Sequence, residues 1–199
     1  MDEGYIKFNC IWTAAEALPE EEIREINAWR QRLYQEKLIG AYPDGIGYGN
    51  ISCLLEDGNI LISGSATGNF PELGPEHYTQ VTNINIDQNT VYCSGPIKAS
   101  SETMSHAVVY RNLPQAKVVM HVHSLLFWEG LMEKLPSTSA SVAYGSPEMA
   151  REIERLLKDP IILKEQIFAM GGHREGVLAF GEDYPSTFEK IMTFKHHYL

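Results

Sequence analysis

Two histidines separated by one residue, His121 and His123, interrupt an apolar run made of Val118, Val119, Met120 and Val122. Side chains alternate along a strand, so residues i and i+2 share a face, with Cα atoms about 7 Å apart. That separation lets two imidazoles reach one ion, and imidazole suits zinc, copper, iron or nickel. The same pattern also describes two hydrogen-bonded rings in a core strand. The apolar neighbours weigh against that alternative, because burying two polar rings without a purpose is costly.

Four further segments carry donors, acceptors or a base. In Ser100-Ser101-Glu102-Thr103-Met104-Ser105-His106 the serines read as helix caps, and an acid in the first turn complements the helix dipole. The same geometry makes an anion site from a helix N-terminus and two hydroxyls, and puts a carboxylate where a general base could stand. His106 falls one turn after Glu102 and reads as structural. The turns Gly49-Asn50-Ile51-Ser52 and Ser63-Gly64-Ser65-Ala66-Thr67-Gly68 are either plain turns or donor-rich nests for phosphate or carboxylate. Met170-Gly171-Gly172-His173-Arg174-Glu175-Gly176 is a polar turn, or it brings a third histidine. Catalytic zinc sites commonly keep three protein ligands and one open position.

These segments must be held by elements that the sequence also marks. Pro19 and Glu20–Glu22 suit the first turn of a helix, which continues through Ile23, Ile26, Trp29, Arg30 and Leu33 and stops near Leu38, before Gly40 and Pro43. Residues 42–50 read as loop. Residues 51–55 and 60–63 flank a hairpin turn, and 80–86 and 90–93 flank a second. A helix is expected over 101–112, the strongest strand over 116–123, and a helix over 147–157 with Ser146 as N-cap. Strands follow at 166–170 and 176–180, and a helix at 188–198. Hairpins and helices mix without regular βαβ alternation, which points to an α/β fold with a central, mainly antiparallel sheet covered by helices.

The 199 residues suffice for one domain over 1–199, with residues 1–18 as an N-terminal arm. A net charge of -10 repels nucleic acid and anionic membranes, so neither is expected as a partner. An anionic substrate would need local compensation. Cys10, Cys53 and Cys93 are odd in number and widely spaced, which argues against a disulfide framework and for a reducing cytoplasm. The acidic N-terminus is not a signal peptide, and the longest apolar stretch, 118–128, falls short of the roughly 20 residues needed to span a bilayer.

Taken in order, the motifs resemble the class II aldolase/adducin family, from about Glu20 to the C-terminus. The most specific part is SSETMSHAVVYRNLPQAKVVMHVHS; the others are GNIS, SATG, YGSPEMA and the late histidine before GVLAFG. The resemblance implies a three-layer α/β/α fold and a homotetramer acting on a small-molecule substrate. It implies a divalent metal, zinc first with manganese or cobalt as alternatives, on His121, His123 and His173. Glu102 would be the acid/base carboxylate, and Asn50, Thr67, Gly68, Ser100 and Ser101 would cradle a phosphate.

The activity implied is an aldolase-type lyase cleaving a hydroxycarbonyl, sugar-phosphate-like substrate through an enediolate. The alternatives are a dehydratase or decarboxylase on the same scaffold, and a non-catalytic adducin-like binding domain. Family epimerases carry an aspartate at the Glu102 position. The sequence departs from the aldolases in three places. The third histidine lies two residues further from its glycine, in His173-Arg174-Glu175-Gly176. Ser141 stands where a catalytic tyrosine is expected, leaving Tyr144 as the nearest candidate, on the opposite face if that segment is extended. The glycine-serine loop is one residue longer. The terminal His196, His197 and Tyr198 match a tail that reaches a neighbouring site in family aldolases, or form a solvated end.

Overall fold

The structure, a computed structural model, describes residues 4–198; residues 1–3 of the expected arm and residue 199 lie outside the described residues. Along the chain come β1 (Asn9–Ala14), α1 (Glu20–Gln35), β2 (Gly40–Ala41), β3 (Gly47–Tyr48), β4 (Asn50–Leu54), β5 (Ile60–Ser63), β6 (Tyr78–Asn85) and β7 (Thr90–Gly95). Then follow α2 (Thr103–Asn112), β8 (Val118–His123), α3 (Leu125–Lys134), α4 (Pro147–Leu156), α5 (Pro160–Glu165), β9 (Ile167–Ala169), β10 (Gly176–Gly181) and α6 (Tyr184–Tyr198). Eight strands form one sheet in the order β1-β7-β6-β5-β4-β8-β10-β9. All its neighbours are antiparallel except β1, which runs parallel to β7.

Strand alternation divides the core into two layers. Val118, Met120 and Val122 of β8 face one side, with Ile51, Leu61, Val177 and Ala179, and are covered by Ile23, Ile26 and Leu33 of α1, Phe127 and Leu131 of α3, and Phe188 and Ile191 of α6. Val119, Leu178, Phe168 and Ile62 face the other side, under Met104, Val108 and Val109 of α2, Met149 and Ile153 of α4, and Ile162 of α5. The architecture is therefore three layers, helices on both faces of a mainly antiparallel sheet. His121 and His123 alternate with Met120 and Val122, so they belong to the α2 side.

Local sequence explains the elements nearest the site. Helix α1 buries Ile23, Ile26, Arg30 and Leu33 on one face and carries Glu20, Glu21 and Glu22 in its first turn. Full burial of an aliphatic side chain stabilises by about 1.5–3 kcal/mol, so this stripe outweighs the polar face. Ser146 caps α4 as expected, its hydroxyl accepting from Met149 N at 3.2 Å, with Pro147 behind it.

Several elements differ from the expectation. Part of the arm, residues 9–14, is an edge strand whose residues are mostly exposed. The loop over 42–50 contains the short β2–β3 hairpin. Helices α3 and α5 were not anticipated, and α6 starts at Tyr184 rather than 188. The tail is helical: α6 continues to Tyr198, with His196 and His197 exposed and the Tyr198 ring against Gly130 of α3, on the sheet face opposite His121 and His123. Cys10 and Cys93 bring their Sγ atoms to 3.7 Å on neighbouring strands, a juxtaposition their sequence spacing hides. No helix among the described residues is long and apolar enough to cross a membrane.

Candidate metal centre and active site

Three adjacent strands present the site at one end of the sheet. His121 pairs with Leu178 of β10 on one side and Asn50 of β4 on the other, while His123 faces Gly176, where the β9–β10 hairpin begins. The hairpin turn carries His173 back over the strand ends. The ring centroids of His121, His123 and His173 lie 4.8–5.0 Å from one another. One ligand atom from each falls within 4.8 Å of the others, and all three residues are buried.

The hairpin turn is fixed by close approach. A Cβ on Gly171 would collide with Thr138 O, and one on Gly172 with Val142 O, because the segment after α3 passes directly over the turn. Gly176 admits no side chain freely either, since a Cβ there would stand 3.0 Å from His173 Cγ and Nδ1. Gly172→Ala is therefore expected to push the turn away from the 138–142 segment. The expected cost is about 1–3 kcal/mol of stability, as for other overpacked sites, together with lost metal binding. Thermal unfolding and metal content check it; an alanine variant with wild-type values for both would show that the turn is not held by this contact.

The electrostatics suit a cation. Burial holds His121 well below the usual imidazole range, at about 3, despite the opposing charge of Glu102, and His123 is also driven well down. Both are thus neutral ligands at neutral pH. Burial pushes the Glu102 carboxyl up, but His173, then His121 and the Ser105 hydroxyl, outweigh it and bring it to about 2. Glu102 Oε1 stands 3.3 Å from His173 Nδ1, and Ser105 donates to Oε2 at 2.7 Å. An ionised carboxylate therefore sits beside three imidazoles.

His121 Nε2 is buried with no hydrogen-bond partner among the described residues, as is Asn50 Oδ1, while the Asn50 amide lies 3.3 Å from His121 Nδ1. With its oxygen turned to the ring, that amide accepts the Nδ1–H and leaves the Nε2 lone pair for a ligand. A buried, orphaned nitrogen in a cluster of neutral imidazoles fits a divalent metal.

The other expected residues gather nearby. Gly64 bridges to Ala99, and Ser65 N donates to Lys98 O at 2.9 Å, which brings the glycine-serine loop beside Ser100 and Ser101. Both serines are buried at the turn before α2, where Thr103 N donates to Ser100 O. Thr67 Oγ1 donates to Gly64 O at 2.8 Å, closing the loop on itself. Gly68 lies against the backbone of Gly40 and Tyr48, and Asn50 is buried beside His121. His106, read as structural, is buried: burial lowers it to about 4, and its Nδ1 meets Ser52 Oγ at 2.7 Å, which in turn meets Tyr110 Oη at 2.8 Å.

Arg30 and Tyr42, to which the sequence reading assigned no part in the site, complete the surroundings with Tyr144. Arg30, almost fully buried on α1, donates to the carbonyls of Thr67, Gly68 and Pro71 at 3.0–3.3 Å and so ties down the glycine-serine loop. Tyr42 bonds both His123 and Glu175. Residues 138–145 form turns rather than a strand, so Tyr144 is not directed away: its ring stacks on His173 at 4.5 Å, with Lys7 Nζ 3.7 Å from the ring centroid. Ser141 is exposed and bonds Ser139.

A family profile described as Class II Aldolase and Adducin N-terminal domain matches residues 43–197. Among curated proteins, the chain is 36% identical over 111 residues to a 3-oxo-tetronate 4-phosphate decarboxylase of Escherichia coli O6:H1, and 35% identical to that of strain K12. Each match covers 55% of this chain and 44% of the relative, so the chain spans less than half the length of the curated relatives it matches. Among solved structures, an L-fuculose 1-phosphate aldolase superposes with a TM-score of 0.67 at 15% identity, over 90% of this chain and 84% of that one. A sugar-phosphate aldolase from Thermotoga maritima gives 0.65 at 15% identity, over 88% and 91%.

Proposed function

Because the chain belongs to the class II aldolase and adducin family, we propose that it is a metal-dependent lyase that breaks a carbon–carbon bond beside a carbonyl in a small phosphorylated substrate, by decarboxylation of a 3-oxo acid. The observation that carries this reading is the buried cluster of His121, His123 and His173 with the ionised Glu102 beside it. His121, His123 and His173 would hold the ion, zinc first, since three imidazoles with an open position suit it. A divalent ion bound there supplies Lewis-acid stabilisation of negative charge on the substrate carbonyl oxygen.

The protein's own groups do the rest. The turn before α2 and the loop around Thr67 and Gly68 would orient the phosphate through Asn50, Ser100 and Ser101 and the helix N-terminus. When the carbon–carboxylate bond breaks, its electron pair stays on the carbon as carbon dioxide leaves. Glu102, ionised between turnovers, relays a proton from solvent to that carbon. Tyr144 and the segment over His173 would exclude water from the reacting atoms.

Decarboxylation is favoured over retro-aldol cleavage for a specific reason. Retro-aldol cleavage needs a group to remove the proton from the hydroxyl that becomes the aldehyde, and Ser141, where the aldolase pattern has its tyrosine, is exposed and turned to Ser139. Loss of carbon dioxide needs no such group. The curated relatives at 35–36% identity bear a decarboxylase name, which supports the same choice. A homotetramer, as the family resemblance implies, belongs to this reading, and so does a reducing cytoplasm, from the cysteine usage.

The test is to load the protein with zinc, supply 3-oxo-tetronate 4-phosphate or L-fuculose 1-phosphate, and measure carbon dioxide and aldehyde. Metal-dependent carbon dioxide release from the first is expected. Aldehyde release from the second would return the assignment to an aldolase. Neither product, in protein that holds no metal, would favour a binding domain.

A further inference from the structure

Tyr42 lies outside every motif that suggested the activity and Glu175 had no role assigned to it, yet both converge on one histidine. Tyr42 Oη stands 3.0 Å from His123 Nδ1 and 2.9 Å from Glu175 Oε2. The stack continues above: the Tyr48 ring lies parallel to His123 at 5.3 Å and packs on Tyr42 at 4.8 Å. Tyr42 and Tyr48 lie in the β2–β3 hairpin, with Tyr42 N donating to Ile46 O and Gly45 N to Tyr42 O, both at 2.9 Å.

Proton counting fixes the direction of the chain. The Glu175 Oε2 oxygen accepts from the Tyr42 hydroxyl, and a tyrosine hydroxyl has one proton to give. Tyr42 donates that proton to Glu175, so its oxygen accepts from His123, and His123 must carry its proton on Nδ1. A neutral imidazole has one N–H, and Nε2 therefore bears the lone pair.

Glu175 occupies its place at a cost. Its φ is +75°, in the left-handed region that a residue with a Cβ rarely enters. Strain of this kind persists where surrounding contacts impose it and is a pointer to function. Here the constraints are Ser124 N, which donates to Glu175 O at 3.1 Å, and the Tyr42 hydroxyl. The residue belongs to the two-residue extension between His173 and Gly176, so the extension delivers a carboxylate to the second ligand histidine.

We propose that Glu175 and Tyr42 are positioning residues that lock His123 in its Nδ1–H form and hold Nε2 ready for the metal, a carboxylate–tyrosine–histidine relay in which the hydroxyl stands between acid and imidazole. The proposal rests on the metal reading of the three-histidine cluster. Outer partners of ligand histidines commonly contribute about 10–100-fold to metal affinity, through orientation and basicity.

Three variants separate this role from a structural one. Tyr42→Phe keeps the ring packing and removes the hydroxyl. Glu175→Gln is isosteric, but its amide can donate to Tyr42, which frees the tyrosine proton to bond Nδ1 and shifts the ring proton to Nε2. Glu175→Gly relieves the left-handed backbone while removing the carboxylate. Zinc affinity is read by competition with a chromophoric chelator, the tautomer by long-range proton–nitrogen spectra of metal-free protein labelled at histidine, and stability by thermal unfolding.

The expected result is a protonated Nδ1 and an unprotonated Nε2 on His123 in the wild type, and zinc affinity about 10–100-fold weaker in each variant. Glu175→Gly should lose affinity while unfolding at no lower temperature, an outcome a purely structural role would not give. Wild-type affinity in Tyr42→Phe and Glu175→Gln, or a proton on Nε2 in the wild-type spectrum, would overturn the relay. If the wild type takes up no zinc, the metal reading fails, and the tautomer spectra still decide whether the relay exists.

Discussion

Glu102→Gln is expected to leave the metal in place and lower turnover about 10²–10⁴-fold, the range that a positioned acid–base group contributes. The argument is geometric. Glu102 is almost fully buried at the start of α2, is tied through Oε2 to Ser105, and turns Oε1 toward the histidine cluster. Glutamine has the same shape and can still accept from Ser105, so the loss falls on proton transfer rather than packing. The sharper measurement is exchange of the product's carbon-bound proton with deuterated solvent, which Glu102 catalyses by the reverse of its delivery step. The variant should lose exchange while its KM and metal content hold. Exchange at the wild-type rate would remove Glu102 from the acid–base role.

His123→Ala is expected to empty the metal site. Zinc-site free energies of about 10–16 kcal/mol spread over four ligands give about 2.5–4 kcal/mol for each, on the order of 10²–10³-fold in affinity. The deletion also removes the ring that stacks under Tyr48 and anchors Tyr42. Catalysis should disappear at ordinary zinc concentrations and return in part when zinc is raised. His196→Ala, on the exposed last turns of α6, serves as the control and should bind like the wild type. Full occupancy in His123→Ala, measured by elemental analysis, would defeat the ligand assignment.

What the sequence made legible follows from how locally each signal is encoded. The alternation of Val118, Met120 and Val122 with Val119, His121 and His123 contains both the strand and the facing of the two histidines, because neighbouring side chains must point to opposite sheet faces. The start of α4 was legible because Ser146 and Pro147 each do one local job. Strand β1 was not, since its apolar residues are mostly exposed and it is held by pairing with β7 some 80 residues away. Helix α3 was hidden because apolar residues run on from β8 with only Ser124 to mark the change.

The site divides the same way. His121, His123 and Glu102 lie in recognisable local patterns, and His173 among glycines that the passing backbone demands. The Tyr42–Glu175 contact joins residues 133 apart in sequence and depends on a left-handed backbone at Glu175, which no periodicity announces. Tyr144 falls on the opposite face only if its segment is extended, and the chain instead makes turns there that stack the ring on His173.

The most direct test of the account is zinc titration of metal-free protein followed by elemental analysis, on the wild type and on the variant lacking all three histidines. The account predicts one tightly held ion per chain in the wild type and none in the variant. No bound ion in the wild type, or an ion that survives loss of His121, His123 and His173, would contradict it.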